Sequence, residues 1–271
     1  MKPQTFHLGI TPYNAGEAPS RLLAAESKLS RQQVKQAMHK GAAWLTHAQH
    51  RRRLRRDKAR LKPGDQLSLY YNPEVLGQAP PEPRLLADEQ DYSLWYKPPG
   101  MLSQGSKWSD HTTLPRWAEL HLQPQRPAFL VHRLDRFADG LMLIAHSKSM
   151  ARQLSAMFEH RAVEKRYRVW VQGEFPAQPG EMRIEQPLDD KPAISIARRI
   201  DFDAVHKRSL LEVRIETGRK HQIRRHLSDA GYPVVGDKLH GIDSQGDLRL
   251  TAVFLAFVHP QSGELKRYQL P

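Results

Sequence analysis

The sequence contains no cysteine and no long run of apolar residues. Without cysteine the chain can form neither a disulfide nor a thiolate zinc site, and a cysteine nucleophile is excluded. Its most apolar stretches, residues 141–145 and 252–258, are much shorter than the ~20 residues that span a bilayer. The first thirty residues carry no basic segment leading into an apolar run, so we expect neither secretion nor membrane insertion and predict a cytoplasmic protein.

Acidic residues are too few to balance the basic ones, since the sequence contains 42 Lys and Arg but only 29 Asp and Glu and has a net charge of +13. The excess is concentrated, because residues 21–62 hold thirteen Lys or Arg against only Glu26 and Asp57, a local balance of +11. A solvated surface usually interleaves both signs. The segment therefore favours binding to a polyanion over a basic surface that serves only solubility.

Residues 13–72 have the pattern of a small module of helices and strands. Ser30 and Gln33 form a capping-box pair ahead of one apolar helical face, which predicts a helix that ends near Lys40. The other elements predicted in this module are a strand at 42–45, a basic loop at 51–62, a turn at 63–65 and a strand at 66–71.

This module resembles the alpha-L RNA-binding domain, which occurs in a small-subunit ribosomal protein and in many pseudouridine synthases. The resemblance rests on a Ser-Arg helix start at 30–31, a Lys-Gly-Ala strand entry at 40–42 and a Pro-Gly-Asp turn at 63–65. Residues 43–46 read Ala-Trp-Leu-Thr instead of the usual Val-x-Val-Asn. The resemblance implies a small α/β domain that binds RNA. The RNA contacts predicted in it are Arg31, Lys35, Arg51, Arg52, Arg53, Arg55 and Arg56.

Proline is frequent in residues 73–84, which predicts a linker because this composition stiffens and extends a chain without packing it. Residues 85–271 then combine alternating strands, such as 167–171 and 211–215, with stretches of helical apolar spacing. This pattern predicts an α+β domain with a mostly antiparallel, mixed β-sheet and flanking helices.

Polar residues lie between two apolar stretches within residues 129–145, where Asp135 stands between Arg133 and Arg136. Loops fixed between strands hold reactive side chains rigid yet exposed, and nearby cations keep a carboxylate ionised where water is excluded. The dipeptide Asp139-Gly140 is predicted to form a turn before the second stretch. The composition alone leaves open that Asp135 is only a surface ion-pair partner.

Several motifs in this part of the chain resemble the RluA-type pseudouridine synthases. The family's catalytic motif, His-Arg-Leu-Asp and then Thr-Ser-Gly-Leu, is matched at residues 132–135 and by the Gly-Leu at 140–141. Its second motif, Thr-Gly-Arg-(Thr or Ser)-His-Gln-Ile-Arg, is matched at 217–224. The resemblance implies a catalytic domain with a central RNA cleft. Shorter matches are Lys-Pro-Pro-Gly at 97–100, Lys-Arg-Tyr at 165–167 and the stretch 231–237.

Three positions depart from the family pattern. Ala138 and Asp139 replace the usual Thr and Ser of the catalytic motif, and Tyr232 replaces a frequent His. The loss of two hydroxyls would change how the catalytic loop is braced, yet we expect activity to survive. The alternative is an RNA-binding assembly factor that keeps the fold without catalysis. Retention of Asp135 together with Tyr167 and Arg224 argues against it, because an anionic carboxylate in a phosphate-lined cleft weakens RNA binding.

The family resemblance implies a synthase that isomerises uridine to pseudouridine in structured RNA, with Asp135, Tyr167 and Arg224 as its catalytic residues. The target uridine would leave its stack, and Asp135 would then either attack C1′ or deprotonate the sugar. Arg224 would pair with Asp135 and keep it anionic, while Tyr167 would pack on the base and help to remove the C5 proton. The other RNA contacts assigned in this domain are His132, Arg133, Arg136, Arg219, Lys220 and Lys97.

Simpler roles remain open for individual residues. Tyr167 also fits a core position on its strand, and Arg224 also fits a phosphate contact within a basic cluster. His221 and His226 lack a third ligand at suitable spacing, so we predict no metal, and the isomerisation needs no cofactor. The expected partner is structured RNA, with ribosomal RNA slightly favoured over tRNA. We predict a monomer without an obligate protein partner.

Overall fold

The computed structural model describes residues 2–178, 180–242 and 246–271. Within this part of the chain, no helix is long and apolar enough to cross a membrane. The structure divides into two compact units, each with a hydrophobic core of its own. The first unit comprises Met1–Pro80 and Gln104–Trp117, and the second comprises Pro81–Ser103 and Ala118–Pro271.

The first unit contains a four-stranded antiparallel sheet and three helices. Its elements are β1 (Gln4–Gly9), α1 (Pro19–Ser27), α2 (Arg31–His39), β2 (Ala43–His47), β3 (His50–Arg53), β4 (Gln66–Tyr71) and α3 (Pro73–Leu76). The strands are ordered β1-β4-β2-β3. Leu23 of α1, Val34 of α2 and Leu69 of β4 are fully buried in a shared core. Apolar faces of the helices and the sheet therefore pack together here.

The local structure that the sequence predicts for this unit is confirmed only in part. The predicted capping box is confirmed, because Ser30 Oγ accepts from Gln33 N at 3.2 Å and the Gln33 side chain accepts from Ser30 N at 2.9 Å. The prediction of a basic loop over 51–62 is wrong at its start, since β3 pairs with β2. Arginines are compatible with a strand at the edge of a sheet, where charge discourages further pairing. The predicted linker at 73–84 contains α3, which begins after an Asn72 cap.

The second unit contains a large mixed sheet flanked by helices. Its elements are β5 (Arg84–Asp88), β6 (Tyr92–Lys97), α4 (Leu114–His121, which begins in the first unit), β7 (Phe129–Leu130), β8 (Asp139–Ala145), α5 (Lys148–Glu159), β9 (Glu164–Gln172), β10 (Met182–Ile184), β11 (Ser195–Asp203), β12 (Arg208–Ile215), α6 (Gln222–Asp229), β13 (Leu250–Val258) and β14 (Leu265–Gln269). The main path of the sheet is β10-β11-β12-β9-β13-β8-β6-β5. Its pairings are antiparallel except for a short parallel contact between β13 and β8. The predicted α+β class is confirmed.

Side chains of β9 alternate between the two faces of this sheet. Tyr167 and Val169 are buried in one core with Ile223 of α6, whereas Arg168 is exposed and Trp170 half-buried on the other face. This alternation follows from the two-residue repeat of a strand. It places Tyr167 on the face of the sheet that α6 covers.

The predicted turn at Asp139-Gly140 is wrong, because both residues belong to β8 and pair with Thr251 and Ala252 of β13. The backbones approach so closely here that a Cβ on Gly140 would lie 2.2 Å from the Ala252 carbonyl oxygen. Gly140 also has a φ of +111°, which disfavours other residues. The glycine is thus required by a contact with a distant strand, and this contact fixes the end of the loop that carries Asp135.

Candidate active site and RNA-binding surface

Asp135 lies in the loop between β7 and β8, and Arg224 lies in the first turn of α6. Arg224 Nη1 donates to Asp135 Oδ2 at 3.0 Å, so the predicted pairing of these residues is confirmed. The Arg224 side chain is only 7% exposed, whereas that of Asp135 is 25% exposed. The carboxylate can therefore be reached by a substrate while its cationic partner stays shielded.

A second carboxylate, Asp237, holds the other edge of the Arg224 guanidinium. Arg224 Nε and Nη2 donate to the two oxygens of Asp237 at 2.7 and 2.6 Å, and the backbone N–H groups of Leu239 and His240 also donate to this carboxylate. Asp237 is buried, which opposes ionisation, but these hydrogen bonds outweigh burial and lower its pKa to about 2. Such a bidentate pair leaves the guanidinium little freedom, so Arg224 presents Nη1 to Asp135 in a defined direction.

Tyr167 faces the same region from β9. Burial, and secondarily the negative charge of Asp135, raise the pKa of Tyr167 above its ordinary 10.0. The phenol is therefore neutral near pH 7, and Tyr167 packs in the same core as Leu134, the residue before Asp135. The structure thus brings together the three residues that were predicted to be catalytic.

The motif at residues 217–224 fixes the start of α6 through its own hydrogen bonds. Thr217 Oγ1 and the backbone N–H of Arg219 donate to Gln222 Oε1 at 2.6 and 3.0 Å, and Gln222 Nε2 donates to the Ile194 carbonyl at 2.9 Å. Because both the oxygen and the nitrogen of the Gln222 amide are hydrogen-bonded, this side chain connects the loop, the start of the helix and the adjacent segment at Ile194. This network orients the helix turn from which Arg224 extends.

His221, which was predicted not to bind a metal, is a neighbour of Asp135. Its Nε2 lies 3.9 Å from Asp135 Oδ1, and its Nδ1 is hydrogen-bonded to His240 Nε2 at 2.9 Å. Burial lowers the pKa of His221, although Asp135 acts in the opposite direction. In the described ranges, no group of three or more His, Asp or Glu side chains is arranged to hold a metal ion.

Lys97 and His132 have structural positions, although both were predicted to contact RNA. Lys97 is fully buried, and its Nζ donates to three backbone carbonyls, those of Pro98, Met101 and Arg136. Burial lowers the pKa of Lys97 to about 8. The prediction for Lys97 is wrong, because three protein acceptors use all the donors of a buried ammonium group.

His132 is held by β8 and α5. Its Nε2 accepts a hydrogen bond from the Leu143 backbone N–H at 2.9 Å, and its ring stacks on Phe158 with 4.2 Å between centroids. Burial lowers the pKa of His132 to about 3, so the ring is neutral and able to accept. We assign His132 to the fold rather than to an RNA interface.

The other cations predicted to contact RNA in this unit are more accessible. Arg133, Arg136 and Lys220 are exposed, and Arg219 is half-buried. Arg136 Nε donates to the Gly100 carbonyl at 3.2 Å, and Arg219 Nε donates to the Pro192 carbonyl at 3.1 Å. Their RNA-binding roles stay predictions.

Asp139 and Ala138, the two departures from the family motif, are both accommodated by the fold. The Tyr96 hydroxyl donates to Asp139 Oδ2, and Thr251 Oγ1 donates to Asp139 Oδ1 at 2.8 Å. Burial and the Asp139 carboxylate raise the pKa of Tyr96 to about 12. Ala138 is buried in the core that contains Tyr167. Hydroxyls from neighbouring strands therefore brace the end of the loop through Asp139.

The cations predicted to contact RNA in the first unit are not equally available. Arg31 Nη2 and Lys35 Nζ lie 3.1 and 3.5 Å from Asp57 Oδ2. Arg53 Nε lies 2.9 Å from Asp110 Oδ2, and Arg55 pairs with the same carboxylate. These ion pairs partly neutralise the charge that residues 21–62 show in the sequence.

Aromatic rings lie among the remaining arginines of this unit. The Arg51 guanidinium lies 4.5 Å from the Trp44 ring centroid and donates to the Tyr70 hydroxyl at 2.8 Å. Arg52 and Arg56 are exposed. Guanidinium groups that rest on aromatic rings keep their charge and planar edges for further contacts.

Comparisons with known proteins agree on one family. The family model described as RNA pseudouridylate synthase matches residues 91–229, just over half of the chain. An uncharacterized RNA pseudouridine synthase of Chloroflexus aurantiacus is 33% identical over 65% of this chain and 61% of its own length. The tRNA pseudouridine synthase C of Haemophilus ducreyi is 31% identical over 61% of this chain and 81% of its own. The dual-specificity RNA pseudouridine synthase RluA of Vibrio parahaemolyticus is 30% identical over 65% and 77%.

A solved structure supports the fold of the matched region. The human RNA pseudouridylate synthase domain containing 1 superimposes with a TM-score of 0.59 at 22% identity, covering 70% of this chain and 83% of its own. Because the family match begins at residue 91, the resemblance of residues 13–72 to an alpha-L domain stays a prediction.

Proposed function

Because this chain belongs to the RNA pseudouridine synthase family, we propose that Asp135 is its catalytic nucleophile and that it acts on uridine in folded RNA, with ribosomal RNA favoured over tRNA. The observation that carries this proposal is the hydrogen-bonded series Asp135–Arg224–Asp237. It pairs a partly exposed carboxylate with a buried cation that a second carboxylate fixes in place.

The isomerisation breaks the N1–C1′ bond of uridine and forms a C5–C1′ bond. C5 loses a proton and N1 gains one, so the reaction conserves all atoms and involves no oxidation or reduction. Asp135 begins the reaction by attack on C1′ or by removal of a sugar proton, and both routes require the ionised carboxylate. Arg224 stabilises that form, while the Asp237 carboxylate and the buried position keep the guanidinium from turning away.

Tyr167 is proposed to pack against the uracil ring and to take part in the loss of the C5 proton. Its raised pKa keeps the hydroxyl protonated, so the phenol can receive the C5 proton only while passing on its own. A flipped base is commonly held by stacking in base-modifying enzymes. The buried ring of Tyr167 beside Asp135 supports this role.

The preference for ribosomal RNA rests on the basic first unit, whose exposed Arg52 and Arg56 suit the closely spaced phosphates of a large folded RNA. Relatives differ in the substrate that their names state, since one is a tRNA pseudouridine synthase and another is described as dual-specificity. Salt-sensitive binding is expected in either case.

Release of tritium from RNA labelled at uridine C5 tests both parts of the proposal. Unmodified ribosomal RNA and total tRNA are incubated separately with the wild-type protein and with Asp135→Asn. Release from ribosomal RNA above that from tRNA, and none with the variant, is the expected result. Faster release from tRNA would overturn the substrate preference alone, whereas equal release by the variant would overturn the role of Asp135.

A further inference from the structure

The sheet of the second unit carries a cavity on the face opposite Tyr167, and we call it the back cavity. It has a volume of about 710 Å³ and is lined by Arg84, Tyr96, Arg168, Trp170 and Arg249, together with apolar side chains of β12 and β13. This volume lies in the range of sites for small ligands or single ligand groups. The back cavity is thus large enough to receive part of a larger molecule.

The three arginines of the back cavity make no ion pair with an Asp or Glu side chain of the described ranges. Arg84 lies over the Tyr96 ring at 5.6 Å, and Arg168 Nη1 donates to the Pro271 oxygen at 2.8 Å. Arginines elsewhere on the same face are paired, since Arg198 Nη2 lies 2.8 Å from Glu212 Oε1. The back cavity therefore concentrates positive charge that no Asp or Glu side chain of the described ranges pairs with, which favours an anionic occupant.

Aromatic rings accompany this charge. Trp170 and Tyr96 line the cavity and are half-buried, so their rings are held in place yet reachable. A guanidinium binds a phosphate through two parallel N–H groups, and a base stacks on an indole ring with little sequence preference. Arginines beside a tryptophan fit a phosphate with an unpaired base next to it.

We propose that the back cavity binds a second, single-stranded segment of the substrate RNA, with a phosphate on Arg168 and Arg249 and a base on Trp170. The proposal rests on RNA being the substrate, as stated above. Because the back cavity and Tyr167 lie on opposite faces of the sheet, this segment differs from the one that holds the target uridine.

The back cavity is also connected to the loop that carries Asp135. Tyr96 and Thr251 line the cavity, and both donate to Asp139, which follows Asp135 by four residues. An RNA segment bound there contacts the side chains that brace the end of this loop. Binding at the back cavity thus secures Asp139 in addition to adding affinity.

Removal of two arginines tests the proposal. Arg168→Ala/Arg249→Ala is compared with Arg183→Ala/Arg198→Ala, which removes the same charge from exposed arginines that are paired with glutamates. Binding of unmodified ribosomal RNA is measured by fluorescence anisotropy over a series of KCl concentrations. The slope of log affinity against log salt should fall by about 1 for each arginine lost from the cavity, and the control should keep the wild-type slope.

Photo-crosslinking locates the contact independently. RNA that contains 4-thiouridine should cross-link to the Trp170 side chain itself in the wild type and in Asp135→Asn, and this product should be lost in Arg168→Ala/Arg249→Ala. Equal slopes for the two double variants, without a cross-link on Trp170, would overturn the proposal. A wild-type dimer that the cavity variant loses, with an unchanged slope, would assign the cavity to a second copy and also overturn it. If the wild type releases no tritium but the slope still falls, the isomerisation proposal fails and the back cavity stands.

Discussion

The two units use arginine in different ways. In the second unit, Arg224 is buried between Asp237 and Asp135, and its three hydrogen bonds fix its position. In the first unit, Arg31 and Lys35 both pair with Asp57, and each of these two basic side chains is 52% exposed. Burial raises the cost of leaving a charge unpaired, whereas water and salt screen an exposed pair. The number of cations in a segment therefore says less about their role than their depth does.

The largest expected effect comes from Asp237→Asn, which leaves the buried Arg224 guanidinium without its bidentate partner. We expect a loss of about 3–5 kcal/mol in the free energy of unfolding, measured by urea denaturation. Tritium release should fall as well, because Arg224 loses the group that directs it at Asp135. A loss below about 1 kcal/mol would show that this pair behaves like an exposed one.

The second-largest effect is expected from replacing a glycine of positive φ in each unit by alanine. Gly140→Ala should cost about 3 kcal/mol, because its Cβ would meet the Ala252 backbone. Gly64→Ala in the first unit is the control, since open space surrounds this glycine at φ +89° and only backbone strain of about 1 kcal/mol is expected. Thermal unfolding of both variants compares them. Equal losses would contradict the close approach of β8 and β13.

Acid should weaken the buried ion pair between Asp237 and Arg224. The pKa of Asp237 is lowered from its ordinary 3.8 to about 2 in the folded chain, so its ionised form contributes stability above pH 4. That contribution, about 2 kcal/mol, is lost as the pH falls from 4 to 2. Denaturant titrations of the wild type and Asp237→Asn at several pH values should show the difference between them narrowing over this interval. A constant difference would argue against the ionised pair.

The smallest effect is expected for Asp57→Asn, which keeps an oxygen for the Ser20 backbone N–H but removes the charge facing Arg31 and Lys35. The free energy of unfolding should change by about 1 kcal/mol or less. RNA binding should become tighter, because two cations are released from an internal carboxylate. Anisotropy titrations check this result, and weaker binding would show that Asp57 orients these cations for RNA.

Short-range patterns predicted much of the local structure. The Ser30 capping box, the strand at Gln66–Tyr71 and the alternation along β9 depend on residues near one another in sequence. Such patterns could not predict the contacts between segments that are distant in sequence. Asp139, for example, resembles a turn residue in sequence, but its oxygens accept from Tyr96 and Thr251, which lie 43 and 112 residues away.

In the candidate site, too, sequence motifs predicted some contacts, and contacts outside the motifs were missed. Family motifs indicated that Asp135 and Arg224 would pair, and the structure places them 3.0 Å apart. The role of Asp237 was missed, although it ends the matched stretch 231–237, because no pattern relates an aspartate to an arginine thirteen residues earlier. Lys97 was misassigned since a motif lysine reads as a cation for RNA, and only the fold shows its burial beneath three carbonyls.

Asp135 is the group that is proposed to start the reaction. Single-turnover tritium release is therefore measured for the wild type and Asp135→Asn on one RNA, at concentrations where anisotropy shows both proteins saturated. We predict that the variant binds RNA at least as tightly as the wild type, because a negative charge is removed from the cleft, and that its rate falls by at least about 10³-fold. A variant that binds equally well and releases tritium at the wild-type rate would contradict the assignment of Asp135 and the site built around it.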